Sequence, residues 1–146
     1  MQLSKFTDYG LRLLMQLMAM GPERVSVKRI AATFEISEHH VAKVASELVK
    51  GGFVLSDRGR AGGLTLAKDP TDILIGDVVR HLTGDVPAAE CFNRGSNEQN
   101  CRAFAQCGLR GPLIEAQQAF FNVLDNYSLK DVVARPMIMR ELLEHP

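Results

Sequence analysis

Residues 26–52 read SVKRIAATFEISEHHVAKVASELVKGG, and this stretch decides the fold. Ser26 stands as an N-cap ahead of Val27, Ile30, Ala31 and Phe34, which recur at the spacing of one buried helix face. Glu35-Ile36-Ser37 interrupts that run, and Ser37 caps a further helix through Val41, Val44, Ala45, Leu48 and Val49. Gly51-Gly52 ends it, because glycine adopts the left-handed conformation that stops a helix without a steric penalty. Two short helices joined by a three- to four-residue turn predict a helix-turn-helix.

The flanks extend this reading. Phe53-Val54-Leu55-Ser56 and Gly63-Leu64-Thr65-Leu66 read as strands around Asp57-Arg58-Gly59-Arg60-Ala61-Gly62, whose glycines supply the positive-φ positions of a hairpin loop. A helix-turn-helix followed by a hairpin is the order of a winged helix. Upstream, Thr7 or Asp8 is positioned to cap a helix to about Met20, with Leu11, Leu14, Met15, Met18 and Ala19 as its apolar face. Downstream, Ile73 to Leu82 predicts a fourth helix with a strand-like lead. Pro112 fits the first turn of a long helix to about Asn126, a rod of about 24 Å. Its apolar positions are Leu113, Ile114, Ala116, Ala119, Phe120, Val123 and Leu124. A short amphipathic piece, Ser128 to Val133, and a frayed tail follow. The expected fold is mainly α with a small β-hairpin wing. Residues 1–82 form a winged helix-turn-helix DNA-binding domain, 83–110 a cysteine-bearing loop, and 111–146 a dimerisation helix with a C-terminal tail.

The chain has 146 residues, with 17 Lys+Arg balanced by 17 Asp+Glu. Even spreading of that neutral charge would argue against nucleic acid, but the charge is divided. Residues 1–70 carry ten basic and seven acidic side chains, and residues 71–146 carry seven basic and ten acidic, so a +3 half joins a −3 half. No run approaches the roughly 18 apolar residues of a membrane span. Met1 to Asp8 lacks the basic-then-apolar order of a secretory signal, and a cytoplasmic protein with no membrane partner is expected. Paired carboxylates and nucleophile motifs placed for catalysis are absent. Gly59 to Gly63 is no phosphate cradle, since a strand rather than a helix follows it. An enzyme is not expected.

In a helix-turn-helix the second helix presents its N-terminal outward residues to the base edges of the major groove. Here these are Ser37, Glu38, His39, His40 and Lys43, with Lys28 on the preceding helix. Lysine donates to guanine, glutamate accepts from cytosine N4, and serine does either. Arg58 and Arg60, on a thin glycine loop, have the reach for a phosphate or a narrow minor groove.

Cys91, Cys101 and Cys107 are separated by nine and five residues, all in one polar loop. In a reducing compartment structural disulfides are disfavoured, and an odd count leaves one thiol over. Three thiols therefore suggest a metal or a redox role, and soft thiolates favour zinc or an iron–sulfur cluster. A fourth ligand would come locally from Glu90, Glu98, Asp85 or His81, or from Asp8 at the start of the first helix.

Met1-Gln2-Leu3-Ser4-Lys5-Phe6-Thr7-Asp8-Tyr9-Gly10-Leu11-Arg12 resembles the opening of the iron–sulfur winged-helix regulators, the family of NsrR, IscR and RirA. So do Gly59-Arg60-Ala61-Gly62-Gly63-Leu64 and Ile75-Gly76-Asp77-Val78-Val79-Arg80, and the cysteine loop falls where that family holds its cluster. Leu124-Asp125-Asn126-Tyr127-Ser128-Leu129 is most similar to the NsrR-type, nitric-oxide-sensing repressors. The resemblance implies a homodimer that binds an inverted-repeat operator while it holds a cluster and releases it when nitric oxide attacks. It implies Cys91, Cys101 and Cys107 as thiolate ligands, and Asp8 as a fourth ligand contributed across the dimer. IscR-type sites carry a histidine three residues after the last cysteine, where this chain has Arg110. The nine-residue first gap is longer than is usual in the NsrR type and leaves a 4Fe–4S or a 2Fe–2S cluster open, the former favoured. Same-fold alternatives are an iron or redox-status regulator and a cluster-free thiol switch.

Overall fold

Helix α1 (Lys5–Met20) is the element around which the rest of the chain packs. In the computed structural model, which describes residues 3–57, 59, 62–84, 89–92, 95 and 101–144, it is flanked by helix α3 (Glu38–Lys50), helix α4 (Ile75–Thr83), helix α6 (Leu129–Val132), helix α7 (Pro136–Glu144) and strand β2 (Gly63–Leu66). Contact on so many sides buries more than one stripe. Leu13, Leu14, Leu17, Ala19 and Met20 are buried, whereas Leu11, Met15 and Met18 only border the core. The apolar face expected from periodicity is thus turned by about one position. The cap is also Ser4, whose Oγ accepts from the Thr7 N–H at 3.1 Å. Thr7 is fully buried, with its hydroxyl 2.9 Å from that of Ser4 and 3.4 Å from that of Thr83 on α4.

Helix α2 (Val27–Thr33) and α3 form the expected pair, capped by Ser26 and Ser37. Glu35 turns the chain between them at φ 53°, and the Ile36 N–H donates back to Ala31 C=O at 2.9 Å. This is a glycine-type helix stop made by a non-glycine residue. Gln16 Nε2 donates to Thr33 Oγ1 at 3.0 Å, which ties α2 to α1 inside the core. At the end of α3 the left-handed residue is Gly52, at φ 69°.

Strands β1 (Val54–Asp57) and β2 pair antiparallel in the register Val54↔Leu66 to Asp57↔Gly63. Val25 adds a bridge to Leu64, with hydrogen bonds of 3.0 and 2.9 Å, and so doubles as a short third strand. A Cβ on Gly63 would stand 3.2 Å from the Val25 backbone, so a larger residue would have to ease this bridge apart by a few tenths of an ångström.

The strand-like lead of the fourth helix is real. Leu74 bridges Ser128, the Ile75 N–H donates to Tyr127 C=O at 2.9 Å, and the Leu129 N–H to Ile73 C=O at 2.8 Å. The long helix, α5 (Arg110–Leu124), starts two residues before Pro112, and none of its residues is buried. Phe120, Phe121 and Leu124 lean on the core, while Leu113, Ile114 and Val123 face outward.

The frayed tail is corrected. Residues 136–144 form α7, with Met139 and Leu143 packed on the core. Arg140 pairs with Glu23 at 2.8 Å, and Glu144 with Arg29 of α2 at 2.9 Å. Successive turns of the tail thus each carry one apolar residue on the core and one charged residue paired with Glu23 or Arg29, and these hold it as a helix.

Candidate nucleic-acid interface and cysteine loop

The exposed side of α3 carries Glu38, His39, His40 and Lys43, and Lys28 is exposed on α2. Ser37 is exposed as well, but its hydroxyl is committed to the helix start. Its Oγ accepts from the His40 N–H at 3.3 Å and lies 2.9 Å from His40 Nδ1. The His40 ring is held between those of Tyr9 and His39, at centroid distances of 6.4 and 6.2 Å. His40 therefore sits at the α1 edge of the helix, and Glu38, His39 and Lys43 are its outward groups. The sequence reading missed Ala42 and Ser46, both exposed and both on this face. Their spacing of three and seven from His39 is the signal that would have found them. Arg58 and Arg60 lie outside the described residues. Their hairpin is seated by an Arg24–Asp57 pair at 2.9 Å, and the Gly62 N–H closes its tip on Gly59 C=O at 2.9 Å.

Cys91 lies in a short helical turn (Glu90–Phe92), and Cys107 ends a second one (Phe104–Gln106). The carbonyl of Cys101 accepts from the Phe104 N–H at 3.0 Å. All three thiols are free and half-buried. Asp8 is paired instead with Arg12, one turn along α1, at 2.8 Å. Among the described residues no cluster of three or more Cys, His, Asp or Glu side chains is close enough to hold a metal. Glu98 and Asp85 lie outside the described residues. His81 Nε2 is 2.7 Å from Glu47 C=O and its ring abuts Phe53, so it serves the end of α3. The donor chemistry, three free thiols on one loop, fits an iron–sulfur cluster.

The loop leads directly into α5, and the far end of α5 is latched to the winged helix. Arg80 on α4 grips the Asp125 carboxylate with both terminal nitrogens, Nη1 to Oδ1 at 2.7 Å. Its guanidinium carbon also lies 4.7 Å from the centroid of the Phe121 ring. Gly76 makes room, since a Cβ there would stand 1.8 Å from Asp125 Oδ1. Two of the motifs noted in the sequence, the Ile75–Arg80 run and the Leu124–Leu129 run, are thus the two halves of one joint.

Hydrogen bonding and charge from Arg80 hold the Asp125 carboxyl below the usual carboxylate range. A depressed carboxyl stabilises the fold above its unfolded pKa, and that contribution is lost as pH falls through the folded value. The thermal stability gap between the native chain and Asp125→Asn is therefore expected to be constant near neutrality and to close below about pH 4. A gap that persists undiminished in acid would show that ionisation of Asp125 does not support the joint.

A helix-turn-helix pair packed against α1, a two-stranded wing and an outward α3 face define a winged-helix regulator of transcription. The family model for Rrf2, described as an iron-dependent transcriptional regulator, matches residues 3–135. The chain is 44% identical over 145 residues to the HTH-type transcriptional regulator NsrR of Geobacillus kaustophilus, covering 99% of this chain and 97% of that one. It is 42% identical to the NsrR of Bacillus subtilis, over 99% and 98% of the two chains. Among solved structures, the global cysteine regulator CymR of B. subtilis superposes with a TM-score of 0.72 at 30% identity, over 92% of this chain and 97% of that one. IscR of T. potens superposes with a TM-score of 0.71 at 27% identity, over 92% and 87%. The chain belongs to the Rrf2 family of transcriptional regulators, and it is a DNA-binding regulator rather than an enzyme. Among the described residues no helix is long and apolar enough to cross a membrane.

Proposed function

We propose that the chain is a cytoplasmic, homodimeric repressor that binds an inverted-repeat operator and senses nitric oxide through an iron–sulfur cluster. Residues 1–82 read the DNA, 83–110 hold the cluster, and 111–146 pair the two copies. Cys91, Cys101 and Cys107 are the thiolate ligands, and Asp8 is contributed across the dimer. The carrying observation is that three free thiols sit on the loop entering α5, a helix whose opposite end is locked to the winged helix by Arg80 and Asp125. The exposed Leu113 and Ile114 at the start of α5 are apolar surface that a second copy would cover. Pairing on α5 sets the separation of the two α3 helices, which must match successive major grooves about 34–36 Å apart. Lys43 and Glu38 address base edges, and Lys28, Arg58 and Arg60 address the backbone or the narrow groove.

When bound, the cluster supplies iron that nitric oxide attacks. The chain's part is to hold the loop against α5 while the thiolates are engaged and to relax when they are not. Operator affinity of anaerobically prepared protein is expected to fall about 100-fold on nitric oxide addition, about 2.7 kcal/mol of differential binding between the two states. Unchanged affinity overturns the sensing. A second reading, a metal-free thiol switch, uses the same three free thiols. Iron and sulfide content near zero in such preparations would select it.

A further inference from the structure

Helix α3 is seated by burial of Val41, Val44 and Leu48. Apolar burial is strong but non-directional, so it sets how deep the helix lies more than how it is turned about its axis. A directional contact is added at its C-terminal end from α4. His81 Nε2 lies 2.7 Å from the Glu47 carbonyl oxygen, which also accepts from the Gly51 N–H at 2.9 Å. A carbonyl only accepts, so Nε2 carries the proton. The imidazole stands edge-on to Phe53, with ring centroids 5.7 Å apart. Gly51 keeps space for this ring. Its φ of −74° and ψ of −6° are open to any residue, so the backbone does not call for glycine there. A Cβ, however, would stand 2.8 Å from His81 Nε2 and 2.7 Å from Phe53 Cε2. The ring also comes from a fixed platform. Val78, Val79 and Leu82 of α4 are buried, and the adjacent Arg80 is clasped to Asp125. Glu38 and Glu47 are nine positions apart, about 14 Å of helix. A small turn of α3 at Glu47 therefore re-aims Glu38, His39 and Lys43, and hydrogen bonds weaken steeply with misalignment.

We propose that His81 is a positioning residue for sequence-specific DNA reading: by holding the Glu47 carbonyl it fixes the rotation of α3, and hence where Glu38, His39 and Lys43 meet the base edges. This rests on the reading of α3 as the helix that enters the major groove. It goes beyond that reading by placing a determinant of specificity in a side chain of another helix. Phosphate contacts carry affinity without sequence information and depend less on that rotation, so the loss of His81 should lower discrimination rather than binding in general.

The test uses full-length protein prepared without oxygen and two DNA probes at one salt concentration. One is a duplex enriched by the native chain from a randomised pool, and the other is a random-sequence duplex. In His81→Leu, affinity for the enriched duplex should fall about tenfold, while affinity for the random duplex stays within about twofold of native. His81→Gln, whose side-chain amide keeps an N–H donor, should stay within about threefold of native on both. Gly51→Ala, which keeps His81 but takes its space, should lose discrimination as His81→Leu does. The imidazole is exposed at the surface, so an unfolding midpoint close to native is expected in His81→Leu. A native chain that enriches no duplex overturns α3 as the DNA reader, and the proposal with it. A native chain that enriches a duplex, with the preference intact in folded His81→Leu, overturns the role of His81 alone. So does an equal fall on both duplexes, or a His81→Gln protein as weak as His81→Leu.

Discussion

Leu14→Ala should lower the unfolding free energy by about 2–5 kcal/mol, a large fraction of the roughly 5–15 kcal/mol typical of a domain. Leu14 is inaccessible to solvent in the middle of α1, in the one helix that meets α3, α4, α6, α7 and the wing. Removing three carbons there forfeits transfer free energy and leaves a void that five neighbouring elements cannot all move to fill. In thermal unfolding at fixed protein concentration this corresponds to roughly 4–20 °C. Leu142→Ala, on the exposed side of α7, should change stability by no more than about 0.5 kcal/mol. If Leu14→Ala costs under about 1 kcal/mol, α1 is not the hub of the core.

Helix-turn-helix and wing were legible in the sequence because their signals are local. Ser26 and Ser37 both cap as expected, and the apolar recurrence of α3 correctly picked Val41, Val44, Ala45 and Leu48. Val49, counted with them, is exposed at 39%. Period alone places a helix face when one side is buried, and it misled on α1, where the surround is nearly complete. Helix α7 was missed because what holds it is remote: Glu23 and Arg140 are 117 positions apart, Arg29 and Glu144 are 115. Similarly, Arg80 and Asp125 are 45 positions apart, and both sat in recognised motifs without any hint that they meet. What the sequence showed of the cysteine loop was its residue types, three thiols that are free in the structure. Its geometry was not legible, because loop residues lack periodicity and several residues between the cysteines lie outside the described ones.

Cys101→Ser protein prepared without oxygen should lose most of its iron and bind the operator about 100-fold more weakly than the native chain, matching nitric-oxide-treated native protein. A serine hydroxyl is a harder and far less acidic donor than a thiol, so it is a poor substitute where soft ligation is needed. The expectation that a loop change reaches the DNA rests on the physical chain between them. Cys107 lies three residues ahead of α5, α5 is tied at Asp125 to Arg80, and Arg80 stands on α4, which packs on both α1 and α3. Asp8→Ala should give a smaller loss, about tenfold. It removes a carboxylate that in the native chain is paired with Arg12, and it leaves all three thiols in place. Circular dichroism and unfolding midpoints close to native in both variants would locate the effect in the coupling rather than in the fold. A Cys101→Ser protein that keeps native operator affinity would separate DNA reading from the cysteines altogether. The graded order, Cys101→Ser well below Asp8→Ala, is what distinguishes a ligand set from a loop whose cysteines merely pack.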